Sequence, residues 1–284
     1  MNINDFFFSY KTTIKSQLLK KKYLKLLSKI LSFPYKYLLF KIKIFFKVDK
    51  IDLDKLEKLN ISDLDQLFLY FNTDKGSKVK IVDKIQKGHN YSQHYEKYFS
   101  KFRNIEGLKI LEIGSLFGGG AASFLNYFTS AKIVCLDINP FNMRYCSTKL
   151  RLIYIDTQSK VIINDVANHL KHDFDIIIDD GSHNKKDQIL TLNYFLPKLK
   201  KGGIYVIEDT TQYLQIPSLN QDNLEYGIND FLVSIKKDGN HQTQFLDDLE
   251  KKKIQSEIKN LFLEEGNFFH KNQSLPEIIF IEKA

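Results

Sequence analysis

At 284 residues, 43% of them hydrophobic, the chain is long enough to bury one large α/β core with an extension, and its composition suits a globular protein rather than a disordered one. The formal net charge of +8 sits at one end: residues 1–50 hold twelve Lys against two Asp, a balance of +10 that leaves the remainder at −2. A remainder with no basic excess has nothing with which to track phosphates, so no nucleic-acid partner is expected.

The first element is this basic arm, residues 1–50. Met1 to Tyr10 has neither a basic n-region nor a small-residue cleavage site, and Lys20 to Lys22 interrupt the apolar stretch that follows, so a soluble cytoplasmic protein is expected. Lys11, Lys15, Lys22, Lys25, Lys29, Lys36, Lys43 and Lys47 recur at helical spacings with Leu and Phe between them. Pro34 is expected to divide the arm into two helices, and no apolar run reaches the roughly 18 residues that span a bilayer. Two uses of the Lys stripe stay open. It lies on anionic lipid at the inner face of the membrane, each Lys contributing on the order of 1 kcal/mol, or it is the solvated face of helices docked on the domain or on another subunit of a homo-oligomer.

Residues 51–105 read as a helical cap region. Short helices are expected over 51–71, a turn at Asn72-Thr73-Asp74-Lys75-Gly76, and a helix from Ser92 to Arg103 with Tyr95, Phe99 and Phe102 on one face. Residues 106–284 then alternate short β-rich runs with helical stretches. The runs are Lys109–Ile113, Lys132–Leu136, Leu152–Ile155, Asp175–Asp179 and Ile204–Ile207, which predicts a mostly parallel sheet covered by helices on both faces. Leu192, Phe195, Leu196 and Leu199 mark a covering helix ended by Gly202-Gly203. Two tail strands, Leu261–Phe269 and Glu277–Glu282, joined through Pro276, complete the sheet with an antiparallel C-terminal strand. Cys135 and Cys146 fall on a strand and the helix after it without C-x-x-C spacing, so neither a disulfide nor a zinc site is expected.

In such sheets ligands bind beyond the carboxyl ends of the strands. The first run ends in Glu112-Ile113-Gly114-Ser115-Leu116-Phe117-Gly118. Leu116 stands where a dinucleotide fingerprint needs glycine, so NAD fits poorly. An acid before a glycine-rich turn suits a ligand with an ammonium group and no phosphate, which describes S-adenosylmethionine, and Asp137 after the next run is placed to accept from ribose hydroxyls. The fourth and fifth runs lead into Asp179-Asp180-Gly181-Ser182-His183 and Glu208-Asp209. If the two strands are neighbours, Asp180, Glu208 and Asp209 converge, and carboxylates that close repel unless a cation joins them. All-oxygen ligation favours a hard ion such as Mg²⁺, and His183 stands where a general base would act.

The turn resembles the first motif of class I Rossmann-like methyltransferases. Asp-Asp-Gly-Ser-His at 179–183, Ile-Glu-Asp at 207–209 and Thr73-Asp74-Lys75-Gly76 with His89, Tyr91 and Tyr95 together resemble the metal-dependent macrolide sugar O-methyltransferases of the mycinamicin and macrocin type, over roughly residues 70–284. The resemblance implies that Asp180, Glu208 and Asp209 hold the metal and that His183 is the base. It also implies that Glu112, Gly114, Ser115, Gly118, Asp137, Gln158, Ser159, Asp179, His89 and Tyr91 surround the cofactor. The acid usual before Gln-Ser is displaced to Asp156, whose role stays open, and packing of the cap is an equal reading of His89, Tyr91 and Tyr95. The expected reaction is transfer of a methyl group from S-adenosylmethionine to a hydroxyl of a sugar or glycoconjugate. Alternatives are a catechol or other small diol as acceptor, or an NAD-linked sugar oxidoreductase.

Overall fold

The structure, a computed structural model, describes residues 2–38, 50–57, 59–171, 173–238, 241, 243–270 and 273–284; Lys43 and Lys47 of the arm's stripe lie outside them. Two short pairings stand apart from the main sheet: β1 (Ile51–Asp52) runs parallel to β6 (Tyr145–Cys146), and β2 (Lys78–Ile81) forms a hairpin with β3 (Lys84–Lys87). The main sheet contains β4 (Leu108–Ile113), β5 (Ala131–Asp137), β7 (Leu150–Tyr154), β8 (Phe174–Asp179), β9 (Leu199–Ile207), β10 (Ile258–His270) and β11 (Gln273–Lys283). Its order is β10-β11-β9-β8-β4-β5-β7, with β10 and β11 antiparallel and the other strands parallel. This is the mostly parallel sheet that the alternating runs predict.

Parallel order follows from burial on both faces. Ile176, Ile177 and Ile178 of β8 are all fully buried, which only a strand covered on both sides achieves. One core packs Leu111, Ile113, Ile177 and Tyr205 against α6 (Lys160–His169), α7 (Lys185–Phe195) and α8 (Ile228–Asp238). The other packs Ile110, Ile176, Ile178 and Val206 against α3 (Leu64–Tyr70), α4 (Ser92–Phe99) and α5 (Gly119–Tyr127). After β4 the chain builds outward through β5 and β7, then returns to place β8 on the other side of β4. The gap between β4 and β8 is therefore the switch point where open α/β sheets bind ligands.

Several expectations need correction. The segment 51–71 holds a strand and a 3₁₀ turn before its one helix, α3, because Ile51 and Asp52 find a partner in β6 that is distant in sequence. Gly202 and Gly203 do not end a helix; they lie inside β9, where Gly202 takes φ +73° beside a register shift against β8. Pro276 lies within β11 at an irregular point of its pairing with β10, so the missing N–H costs no regular ladder bond. The arm breaks twice, after Leu19 and again at Ser32, just before Pro34.

α1 (Ile3–Leu19) is docked, and it docks through its polar face. Asp5, Ser9, Thr12, Thr13 and Ser16 are buried on it together with Phe6. Asp5, fully buried, accepts from Arg151 Nε and Nη2 at 2.7 Å each and lies 3.2 Å from His169 Nε2, over which the Phe8 ring stacks at 3.8 Å. Ser9 Oγ accepts the Tyr154 amide at 2.9 Å, satisfying a donor of the edge strand β7 that would otherwise face water or another chain. Of the two uses left open for the arm, docking on the domain holds for α1.

Removing one partner of a buried ion pair leaves the other uncompensated. Arg151 is 30% exposed, so Asp5→Ala is expected to cost about 3 kcal/mol, the low end for such pairs. A shift in the urea midpoint at unchanged slope measures it, and a loss below about 0.5 kcal/mol would mean that α1 is only loosely attached.

Candidate active site

The first turn forms at the switch point. Gly114 has φ +85°, and a Cβ there would lie 1.8 Å from the Asp180 carbonyl oxygen, so glycine is required both by the left-handed backbone and by the approach of the β8 loop. Gly118, also at φ +85°, opens α5 with its α-carbon tight against the Met143 sulfur. Glu112 ends up buried, and its Oε2 has no hydrogen-bond partner. Ser115 is buried and its hydroxyl turns back to the Glu112 carbonyl at 3.3 Å. Asp137 accepts from the Leu116 and Asn139 amides at 2.8 and 2.7 Å, which fixes its carboxylate at the mouth of the turn.

Sheet register separates the acids into two sets. Glu112 is level with Ile178 and Asp179 with Ile113, so Glu112 and Asp179 point to opposite faces. Asp179, read from sequence as a cofactor residue, accepts instead from Thr191, from Tyr205 at 3.4 Å and from the Gly181 amide at 3.3 Å on the α7 side. Gln158 is exposed and accepts from Lys20 at 3.0 Å, and Ser159 caps α6. Asp156, buried, is held by α1 and the residue after it: Ser16 Oγ donates to it at 2.5 Å and Lys20 Nζ lies 2.7 Å away. Its role is to anchor the arm.

On the Glu112 face, Lys75 is the residue that the sequence reading quoted without assigning a role. It is buried among three acids, donating to Asp180 and, at 2.7 Å, to Glu208, close to Glu112. Burial opposes its charge, but the fields of Asp180, Glu208 and Glu112 outweigh it and hold the amine well above its ordinary value. One cation cannot offset three carboxylates, two of them fully buried, so the cluster retains a proton among the acids: burial pushes Glu112 to about 7, and Glu208 upward with Asp180 repelling it. Tyr95, fully buried in the cap, donates to Glu208.

Asp180, His183 and Asp209 place one ligand atom each within 4.8 Å of one another. His183 Nε2 is 3.8 Å from Asp180 and 3.7 Å from Asp209, while its Nδ1 is buried with no partner. His183 and Asp209 both sit at positive φ, +55° and +54°, a conformation that costs a non-glycine residue about 1–3 kcal/mol and that turns both side chains back over the strand ends. Glu208 is not in this group; it is turned to Lys75 and Tyr95. Tyr91 donates to Asp209 at 2.7 Å and His89 Nδ1 is 3.3 Å from the same carboxylate, so these two residues join Asp209 rather than the glycine turn. A cavity of about 260 Å³ opens beside them, lined by Lys87, Gly88, His89, Asp209, Gln212, Gln215, Asn267 and Glu277, with no apolar side chain among them. Two carboxylates and an imidazole, with Glu208 adjacent, fit a hard divalent ion better than a thiolate-seeking one.

Residues 111–210 match the model of a methyltransferase domain, and these residues contain the glycine turn and every acid of the cluster. Over that span the chain is similar to a methyltransferase domain. Among curated relatives, the mycinamicin VI 2''-O-methyltransferase of Micromonospora griseorubida is 30% identical over 128 residues, 43% of this chain and 31% of that protein. The 8-demethyl-8-alpha-L-rhamnosyl tetracenomycin-C 2'-O-methyltransferase of Streptomyces olivaceus is 28% identical over 128 residues, 43% of this chain and 33% of that protein. The chain thus spans about a third of the length of these relatives. A solved structure of the mycinamycin-pathway methyltransferase, in complex with Mg, SAH and mycinamycin VI, superposes with a TM-score of 0.57 at 22% identity, covering 79% of this chain and 55% of that one. The chain therefore shares the Rossmann-like fold of that solved methyltransferase, as its strand order indicates.

The charge balance fixes a pH dependence. Burial opposes the His89 charge, but the hydrogen bond to Asp74 and the fields of Asp209, Asp74 and Glu208 raise its pKa from 6.5 to about 9. Asp74 is 60% exposed and 3.6 Å away, so Asp209 is the firmer neighbour. A raised folded-state pKa gives stability that is complete below the unfolded value and lost as pH rises through the folded one. That window runs from 4.5 to about 7 for Glu112 and from 6.5 to about 9 for His89. The ligand-free protein is expected to melt at progressively lower temperature as pH rises through these windows, with Glu112→Gln flattening the lower part and His89→Asn the upper. A melting temperature that rises with pH would show the acids already ionised and paired.

Proposed function

We infer that the protein transfers the methyl group of S-adenosylmethionine to a hydroxyl of a sugar or glycoconjugate, with a divalent ion such as Mg²⁺ in attendance. The observation that carries this reading is the convergence of Asp180, His183 and Asp209 beside the Gly114 turn, with Asp209 also lining the neighbouring cavity. The relatives named for O-methylation of sugars and the solved relative holding Mg and SAH support it.

The sulfonium of S-adenosylmethionine supplies an already activated methyl, so the chain's task is chiefly to position the acceptor and move one proton. Glu112, with a free carboxylate oxygen, is placed to accept from the ammonium of the methionine end, and Asp137 from the ribose. Asp180 and Asp209 would hold the ion, with Glu208 adjacent. When bound, it supplies positive charge that lowers the pKa of an acceptor hydroxyl. Lys75 bridges Asp180 and Glu208 and keeps them facing one another. His183 faces the same space with its Nε2 and takes the hydroxyl proton. Gln212, Gln215 and Asn267 offer the amide donors and acceptors that a sugar's hydroxyls pair with.

Methyl transfer from labelled S-adenosylmethionine to a panel of glycosides tests this. Turnover is expected with at least one glycoside, to vanish in chelator and to return with Mg²⁺. His183→Ala is expected to lower turnover by about 10²- to 10⁴-fold while S-adenosylhomocysteine still binds. Transfer to a catechol and to no glycoside would replace the sugar, and a folded protein that binds no S-adenosylhomocysteine would end the reading.

A further inference from the structure

α1 accounts for only half of the described arm. α2 (Tyr23–Leu31) follows it through a turn and has no buried residue at all. Leu24, Leu27 and Leu31 are 86%, 54% and 72% exposed, and their spacing of three and four puts them on one helical face. An ordinary amphipathic helix buries that face; this one presents it to solvent, which marks a contact surface.

The charge around the stripe identifies what covers it. Between Phe6 and Val48 the sequence holds eleven Lys and no Asp or Glu. The nearest acids of the domain, Asp165 and Asp156, are engaged with Lys15 and Lys20. Lys21, Lys22 and Lys25 are exposed beside the leucines. Lys29 is held below its ordinary value by burial and by the neighbouring charge of Lys36, so the cations already crowd one another. A second copy docking on the same face would bring two acid-free lysine sets together, and like charges at contact oppose that dimer. A nucleic acid answers the lysines but offers no apolar bed for the leucines. A bilayer interface with anionic headgroups answers both. Among the described residues no helix is long and apolar enough to cross a membrane, so the contact is a surface one.

We propose that α2 and the turn before it, residues 20–31, dock the protein on a bilayer carrying anionic lipid, with Leu24, Leu27 and Leu31 entering the interface and Lys21, Lys22 and Lys25 meeting the headgroups. The docking is independent of methyl transfer, because none of these side chains reaches the acid cluster. α1 is the rigid link: its buried polar face holds the sheet edge while α2 faces the lipid.

Co-sedimentation of the full chain with vesicles of phosphatidylcholine, with and without phosphatidylglycerol, tests this. Binding is expected only with phosphatidylglycerol, and weakening as salt is raised. The variant Leu24→Ser/Leu27→Ser/Leu31→Ser and, separately, Lys21→Gln/Lys22→Gln are each expected to lower the affinity at least about tenfold. Both should melt like the wild type, since every substituted side chain is exposed. The proposal is overturned if the wild type ignores phosphatidylglycerol vesicles, or if the serine variant binds them unchanged. It is equally overturned if the wild type sediments as a dimer that the serine variant dissociates, which would make the face a contact between copies.

Discussion

Too many carboxylates meet too few cations at the carboxyl ends of β4, β8 and β9. Glu112, Asp180 and Glu208 surround Lys75, and Asp209 stands next to them with His89 and His183 in reach. Left in an apolar interior, such a set would drive the strands apart or take up protons. The sheet holds it together regardless, because the fully buried isoleucines of β8 fix that strand between β4 and β9. Apolar burial thus provides the force that keeps the acids close, and the unmet charge is what makes the place suited to a cation and an ionisable acceptor.

The same imbalance explains local features that look costly in isolation. A buried lysine is stable only where acids surround it, as they do Lys75. Positive φ at His183 and Asp209 is strain, yet it turns both side chains toward the shared space, and the packed strands on either side hold the backbone there. Gly114 lets the first turn and the β8 loop touch, bringing the glycine turn against the Asp180 backbone. The glycine turn and the acid cluster are therefore neighbours by backbone contact, not through a flexible linker.

The arm obeys a second constraint, that an edge strand must be covered. α1 covers β7 with a hydroxyl for its amide and an aspartate for its arginine, so the helix buries polar atoms alongside Phe6. α2, which follows α1, has no buried residue among the described residues. Lys20 also ties the arm to Asp156 and Gln158 in the turn after β7, so whatever acts on the arm acts next to that turn.

By itself the sequence determined the sheet and the acids. Alternating apolar runs have only one way to be buried on both faces, and an acid that ends such a run must appear at the carboxyl edge; that is why β4, β5, β8 and β9, with Glu112, Asp137, Asp180, Glu208 and Asp209, were legible in advance. Register, which is relational, was not. Asp179 and Asp180 are adjacent letters, but pairing with β4 sends Asp179 to Thr191 and leaves Asp180 to Lys75. Nor did pattern separate Glu208 from Asp209, one drawn to Lys75 and Tyr95, the other to Tyr91 and the two histidines. Lys75 sits in a turn with no periodicity of its own, and the partners of α1 lie some 140 or more residues away. Period and composition report what a residue must avoid, which is water or its absence; only the folded chain decides which distant group it meets.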